Sequence, residues 1–457
     1  MKLSNLILTA LLTKYSLSFI IDKDSINNIQ FTNIDSRKDN PHYIHNNKRS
    51  DSNITTTTPS KQEEENNNNF NEIECPMDNI IIEKTSDLSI LDHCNTINND
   101  LIVTQEFLDN VIDLRSLHTI KGHLIVEDCN NLIKIRAPSL QSIEGDFILT
   151  SLTSLVMVEL PNLTTLRTID WKILPILNQI EINPKIIVKE KIVISDTSIS
   201  NLEGFNQIKQ LETFNINNNR FLETIKVSLT QVSTQCTIHA NSKDLIIELP
   251  YLTKVENMTI RDAQSVWLPN LHTVNTNLEL IENGFTDLDL TTLESVGGTL
   301  GIIDNKYVSN LKFNNLTDIQ GGLMIDNNPR LDSIDTFQNL KTIGGAIHFD
   351  GSFKDTDFPN LKLVKGSAYI KTTSDEMDCN KWIKPQDGRS IIRGGKIKCS
   401  SPKKHNMISL DEDGKIIDMQ ENDIDNEKAN IEVMESTANF IKWSPITILL
   451  LLCSIIW

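Results

Sequence analysis

The chain has 457 residues, a formal net charge of −18, and 39% hydrophobic but only 5% aromatic residues. An acidic balance of that size disfavours sequence-independent nucleic-acid binding, which requires clustered Lys and Arg. Its length is unusual for one compact globule and fits an elongated, stacked core better.

Residues 1–18 carry Lys2, an apolar run from Leu6 to Leu12, and small Ser16 and Ser18. That is a secretory signal pattern, set against a short buried helix because Lys14 interrupts it. Residues 19–74 are polar and Asn-rich, with Thr55 to Thr58, Glu63 to Glu65 and Asn66 to Asn69. They bury too little to fold and are expected to be disordered, as a spacer or a removable pro-segment.

From there an apolar stretch recurs about every 22 residues, a period that signals stacked coils. It falls around Leu101, Leu124, Phe147, Ile169, Ile192, Phe214, Ile238, Met258, Leu278, Leu300, Leu323, Ile347 and Ala368. One coil cannot bury its own apolar face, whereas many stacked coils bury a continuous core. The late copies are clearest: Gly297-Gly298-Thr299-Leu300-Gly301-Ile302-Ile303-Asp304, then Gly321-Gly322-Leu323-Met324-Ile325-Asp326, then Gly344-Gly345-Ala346-Ile347-His348-Phe349-Asp350. Each predicts a short strand entered through a glycine corner, where Gly tolerates positive φ. Each strand is left through Asp or Asn, which bond local backbone. A second, shorter strand leads to an apolar-Pro-x-Leu corner, as at Leu160-Pro161-Asn162-Leu163 and Leu268-Pro269-Asn270-Leu271. Proline lacks a donor and suits such a corner. Copies over 169–240 are degenerate.

Of seven cysteines, Cys453 lies in the C-terminal apolar tail, leaving an even set that suggests disulfides in a secreted chain. Cys75 and Cys94 bracket the start of the array, and Cys379 and Cys399 bracket its end. Local bridges there would close caps over the exposed terminal coils. Cys129 and Cys236 stand about five coils apart at about 4.8 Å per coil, too far for a direct bridge. They are read as buried thiols or as pairing differently. Sequons place candidate N-glycans at Asn53, Asn162, Asn257 and Asn315.

Residues 401–436 form an acidic linker. Ile446 to Trp457 is an apolar run of about 12 residues, short of the roughly 20 needed to span a bilayer. With small Ser436-Thr437-Ala438 upstream, this is the layout of a GPI-anchor signal. Ser436 is the expected attachment residue, with Asn439 the runner-up, and 437–457 would be removed.

Acids recur at the strand exits: Asp128, Asp196, Asp262, Glu282, Asp304, Asp326 and Asp350. Stacked carboxylates could bind calcium or act as a catalytic pair. Recurrence in almost every coil favours a turn-capping ladder, each acid bonding its own corner. No phosphate loop, metal-spaced histidines or nucleophile elbow occurs, so no catalytic, metal or cofactor residue is assigned.

The Cys-flanked ends, Gly-Gly-x-Leu coils, apolar-Pro-x-Leu corners and GPI-type tail resemble the fungal GPI-anchored cell-wall organisation proteins with receptor-L-domain-like repeats, over about residues 75–400 and both terminal signals. The resemblance implies a mainly β fold, a right-handed leucine-rich-repeat-like β-solenoid with disulfide-closed caps. It implies a protein of the plasma-membrane outer face and wall, reached by secretion, with a non-catalytic role in cell-wall organisation or spore-wall assembly. Its partners would be wall glycan, with β-glucan held through the anchor remnant, or other wall proteins. Vegetative members carry a Ser/Thr-rich stalk; the acidic 401–435 here lacks one, which tilts the reading toward the sporulation branch. The alternatives are a glycan-active wall enzyme and a receptor-like surface sensor.

Overall fold

The computed structural model describes residues 75, 78–383, 390–402 and 405–422. These form a β-solenoid of about 13 turns. The predicted strands stack as one parallel column. Leu101 pairs with Leu124, Leu124 with Phe147, Phe147 with Ile169 and Ile169 with Ile192. The register continues through Phe214, Cys236, Met258, Leu278, Leu300, Leu323, Ile347 and Ala368. Cys236, not Ile238, is the registered partner; Ile238 stands two residues further along that strand. Ile80–Ile82 extends the column before Leu101, and Lys396–Ser400 extends it after Ala368.

A coil contains more than the two predicted strands. After the main strand Leu124–Glu127 come a back strand Lys134–Arg136, a Pro corner at Ala137–Leu140, and a short third strand registered at Ser142 and Ile143. This third strand recurs as Thr96–Ile97, Thr119–Ile120, Lys254–Val255, Thr273–Val274, Ser295–Val296, Asp318–Ile319, Thr342–Ile343 and Leu363–Val364. Its second residue is a buried Ile or Val in every one of these coils, pointing into the core. At the Pro corners the Leu amide donates to the carbonyl three residues back, at 3.1 Å for Leu163 and 3.2 Å for Leu271. Pro at the second turn position presets the φ that such a turn needs.

The glycine corners work differently from the sequence expectation. Positive φ occurs at Gly394 and Gly414, not at the corner glycines. A Cβ on Gly297 would lie 1.9 Å from the Asn275 carbonyl oxygen, and one on Gly344 2.1 Å from that of Gln320. Glycine stands there so that successive corners can approach closely and bond: Gly321 N donates to Gly298 O at 2.9 Å, and Gly345 N to Gly321 O at 2.8 Å. The degenerate middle copies use another device. The third and main strands fuse into long strands, Thr165–Leu174 and Gln210–Asn217, and their register slips between Leu166 and Thr168 and between Leu211 and Thr213. A bulge turns the corner where glycine is missing.

Buried Leu, Ile and Val fill the core, with Phe147, Trp171 and Phe205 edge-to-face in the middle and Phe313, Phe337 and Phe358 stacked near the end. The ends are closed by distinct pieces. At the start, Cys75 bridges Cys94 beside the 3-10 helix Thr85–Leu91. At the finish, Cys379 bridges Cys399 and the short helix Asn380–Ile383 lays Trp382 over Phe358. The Trp382 indole donates to Thr356 Oγ1 at 2.9 Å. Two antiparallel strands, His405–Leu410 and Ile416–Asn422, follow Lys396–Ser400.

Candidate functional site

The strand exits are the most regular polar feature. Asp128, Ser151, Ile173, Asp196, Asn218, Ala240, Asp262, Glu282, Asp304 and Asn327 all have φ between 51° and 61°. They occupy one column, one per coil. Asp and Asn are the non-glycine residues that best tolerate this left-handed region, which explains why acids recur. Two of the expected acids belong elsewhere. Asp326 registers with Ile303 and Asp350 with Asp326, one residue before the exit, so Asn327 is the true counterpart of Asp304.

The bonds of these acids also correct the expectation of self-capping: Asp196 takes the adjacent Ser195 hydroxyl at 3.0 Å, but the other bonds that the structure resolves run between coils. Asp262 accepts from the Ala240 amide at 3.0 Å, Asp304 from the Asn327 side chain, and Asp196 from the Asn218 side chain. Asp350 holds Lys371 at 2.9 Å, and that hydrogen bond raises the Lys371 pKa above its ordinary value. Asp326 lies 3.8 Å from His348. Burial pushes the Asp326 carboxyl up and the His348 imidazole down, so desolvation outweighs their attraction and the pair is a weak one. Asp304, Asp326, Asn327, Asp350 and Ser352 border an open hollow of about 510 Å³. Among the described residues, no group of three His, Cys, Asp or Glu side chains is arranged to hold a metal ion.

One residue further on, the chain turns inward, and there sequence reasoning missed a ladder. Asn219, Asn283, Asn305 and Asn328 are buried, and Asn241 is half-buried. Asn305 Oδ1 accepts from the Asn283 amide at 2.9 Å, while its Nδ2 donates to Leu280 O at 2.9 Å. Asn328 repeats this for Asn305 and Ile302, and Asn219 for Thr197 and Ile194. Each amide satisfies a donor in the preceding coil's exit and a carbonyl in its main strand, groups that would otherwise be buried unpaired. The signal was in the sequence as Asn immediately after the exit residue: Asn218-Asn219, Glu282-Asn283, Asp304-Asn305, Asn327-Asn328.

Cys129 fills the same inward place in an early coil, its thiol donating to Thr104 O at 3.0 Å. It is unbridged and buried, as is Cys236. Burial first, then the nearby Asp128 and Glu106 charges, push the Cys129 thiol to about 11; burial alone pushes Cys236 to about 12. Neither is a thiolate nucleophile at neutral pH.

Of the sequon residues, Asn162 and Asn315 are exposed on Pro-type corners, and Asn257 is half-buried beside the main strand column. Asn162 Nδ2 donates to Pro138 O at 2.7 Å. Asn53, Ser436 and Asn439 lie outside the described residues, as do the leader, the Asn-rich segment and the C-terminal tail.

The comparisons agree with this architecture. The receptor L domain family model matches residues 93–196 and 291–362. Sporulation-specific protein 22 of Saccharomyces cerevisiae is 48% identical over 372 residues, which cover 80% of each chain. Sporulation-specific protein 2 of the same yeast is 44% identical over 335 residues, 73% of this chain and 66% of the relative. A cell surface GPI-anchored protein of Arthroderma benhamiae is 29% identical over 327 residues, 71% of this chain and 82% of the relative. The chain belongs to the fungal family of cell-surface and cell-wall proteins, built on receptor L domain coils, that includes sporulation-specific protein 22.

Proposed function

We propose that this chain is a non-catalytic protein of the fungal cell surface and wall that organises wall assembly during sporulation. The 48% identity to sporulation-specific protein 22 over most of both chains carries this reading. The solenoid would be exported by residues 1–18, separated from its anchor by the part of 401–436 that follows the closing strand Ile416–Asn422, and attached through a glycolipid at Ser436 after loss of 437–457. N-glycans at Asn53, Asn162, Asn257 and Asn315 and β-glucan on the anchor remnant complete the proposal. The acids fit a structural role, because Asp196, Asp262, Asp304 and Asp350 each bond a group in a neighbouring coil.

The test is fractionation of sporulating cells before and after phosphatidylinositol-specific phospholipase and glucanase. The chain should leave the surface with one or the other. Changing Ser436, Thr437 and Ala438 together to bulky residues should strand it in the secretory pathway or the medium; unchanged display would sink the anchor. Against a glycan-active enzyme, Asp304→Asn should complement a wall defect at equal surface level, since Asn keeps the acceptor oxygen that Asn327 uses. A catalytic carboxylate would lose about 10²–10⁴ in rate, so abolished complementation in a folded, displayed variant would favour the enzyme.

A further inference from the structure

The back strands present an aromatic patch that the stacking of coils does not require. The outward residue that closes each back strand is normally charged: Lys226, Glu248, Asp289 and Lys312 hold it in four coils. Between Glu248 and Asp289 the same place is Trp267, in register with Glu248 and 51% exposed. Tyr251, 55% exposed, stands on the Pro corner of the adjacent coil, whose Leu249 amide donates to Trp267 O at 3.1 Å; Lys209 Nζ lies over its ring, 5.4 Å from the centroid, so Trp267 is the more open of the two aromatics. Ile246, 41% exposed, lies in the same neighbouring strand. Scattered exposed apolar residues are ordinary, but three large ones in two adjacent coils form a patch.

The flanking charge is already balanced. Lys226 Nζ lies 2.8 Å from Glu248, and Lys312 Nζ lies 3.3 Å from Asp289. The column therefore reads base, acid, tryptophan, acid, base, with no net charge. On the other side of Lys226 the back ladder is interrupted. Where a strand should follow Gln179–Ile182, the chain makes the 3-10 helix Glu203–Phe205, and a cleft of about 720 Å³ opens between Ile182 and Thr224. Glu181, Asn201, Glu203 and Lys226 line it. From the cleft beside Glu203 to Trp267 is three coil steps, about 14 Å at the spacing of paired strands.

We propose that this back face binds a neutral, β-linked polysaccharide, with Trp267 and Tyr251 as the stacking platform and the cleft beside Glu203 as the far end of the track. This deepens the wall reading above and rests on it for biological context. The chemistry selects the ligand. Pyranose rings with equatorial hydroxyls carry apolar C–H faces that lie on an indole, and rim hydroxyls that donate to carboxylates. A run of about 14 Å suits several linked sugars, not a single one. Acidic polysaccharides are repelled by a chain of net charge −18. Polycations gain little at a column whose acids already hold lysines.

The test uses the purified full-length chain and depletion isotherms on insoluble β-1,3-glucan, chitin and chitosan. Retention on β-1,3-glucan or chitin is expected, and which of them retains it identifies the source. Trp267→Ala should weaken that retention about tenfold and Tyr251→Ala by a smaller factor, as expected for loss of aromatic anchors. Trp267→Phe should recover part of the loss, while Tyr307→Ala, an exposed aromatic elsewhere, should change nothing. Unchanged melting temperatures would show that the variants are folded. Failure of both neutral glycans to retain the wild type, retention on chitosan alone, or full retention of Trp267→Ala would overturn the proposal. Display at the surface without glycan retention would sink this inference alone; glycan retention without surface display would sink the wall reading alone.

Discussion

At the scale of single residues, the exit column separates what a position needs from what happens to occupy it. Ile173 sits at φ 59° and is 48% exposed. A β-branched residue is strained there, with a left-handed cost of about 1–2 kcal/mol. Ile173→Asn should therefore stabilise the solenoid by about 1 kcal/mol, because little burial is lost and Asn tolerates the geometry. Denaturant unfolding would show it as a raised midpoint with an unchanged slope; a lowered midpoint would mean that Ile173 contributes packing not evident from its exposure. One residue further in, the sign reverses. Asn305→Ala leaves the Asn283 amide and the Leu280 carbonyl without the partners they have now. The expected loss is about 2–4 kcal/mol, the cost of stranding two buried polar groups. The acids were legible as a repeated pattern, yet their role was not. Left-handed backbone and inter-coil bonding both leave the same Asp or Asn in a sequence, and neither names which coil supplies the partner.

At the scale of the element, the glycine corners carry a similar lesson. The sequence shows where glycine recurs, at Gly297, Gly321 and Gly344, but a missing Cβ serves both positive φ and close approach. The structure shows close approach. Gly297→Ala or Gly344→Ala should therefore cost several kcal/mol, because the new methyl meets backbone rather than a movable side chain. Gly301 is the control. It lies mid-strand, its Cβ would meet only side-chain atoms, of Ile303 at 3.4 Å and Glu279 at 3.8 Å, and Gly301→Ala should be nearly neutral. Thermal melts of the three variants at equal concentration would decide; equal behaviour would defeat the close-approach account. The third strand went unread because it is only two residues long, below the length at which alternation can be recognised. The middle coils were degenerate for a physical reason as well: a bulge replaced the glycine motif that made the late copies readable.

At the scale of the whole solenoid, period and fold class were legible because every coil repeats the same burial problem. The back-face patch was not legible, since Trp267 and Tyr251 are 16 residues apart in a chain with few aromatics and come onto adjacent coils of one face only once the coils are stacked. Stacking also makes stability nearly a sum of coil and interface terms. Deleting residues 300–322 should bring Leu323 onto Leu278 and Asn328 under Asn283, recreating both ladders. The shortened chain should still unfold cooperatively, as followed by circular dichroism, whereas deleting 300–311 alone should abolish the transition. Both disulfides, Cys75–Cys94 and Cys379–Cys399, close loops of about twenty residues inside the terminal caps. Neither ties one end of the array to the other. Among the described residues, covalent chemistry thus places no constraint on how many coils lie between the caps, and the solenoid behaves as a ruler whose length changes in whole divisions of about 4.8 Å. A lineage could lengthen or shorten its reach above the membrane by unequal recombination between coils, without reinventing either end.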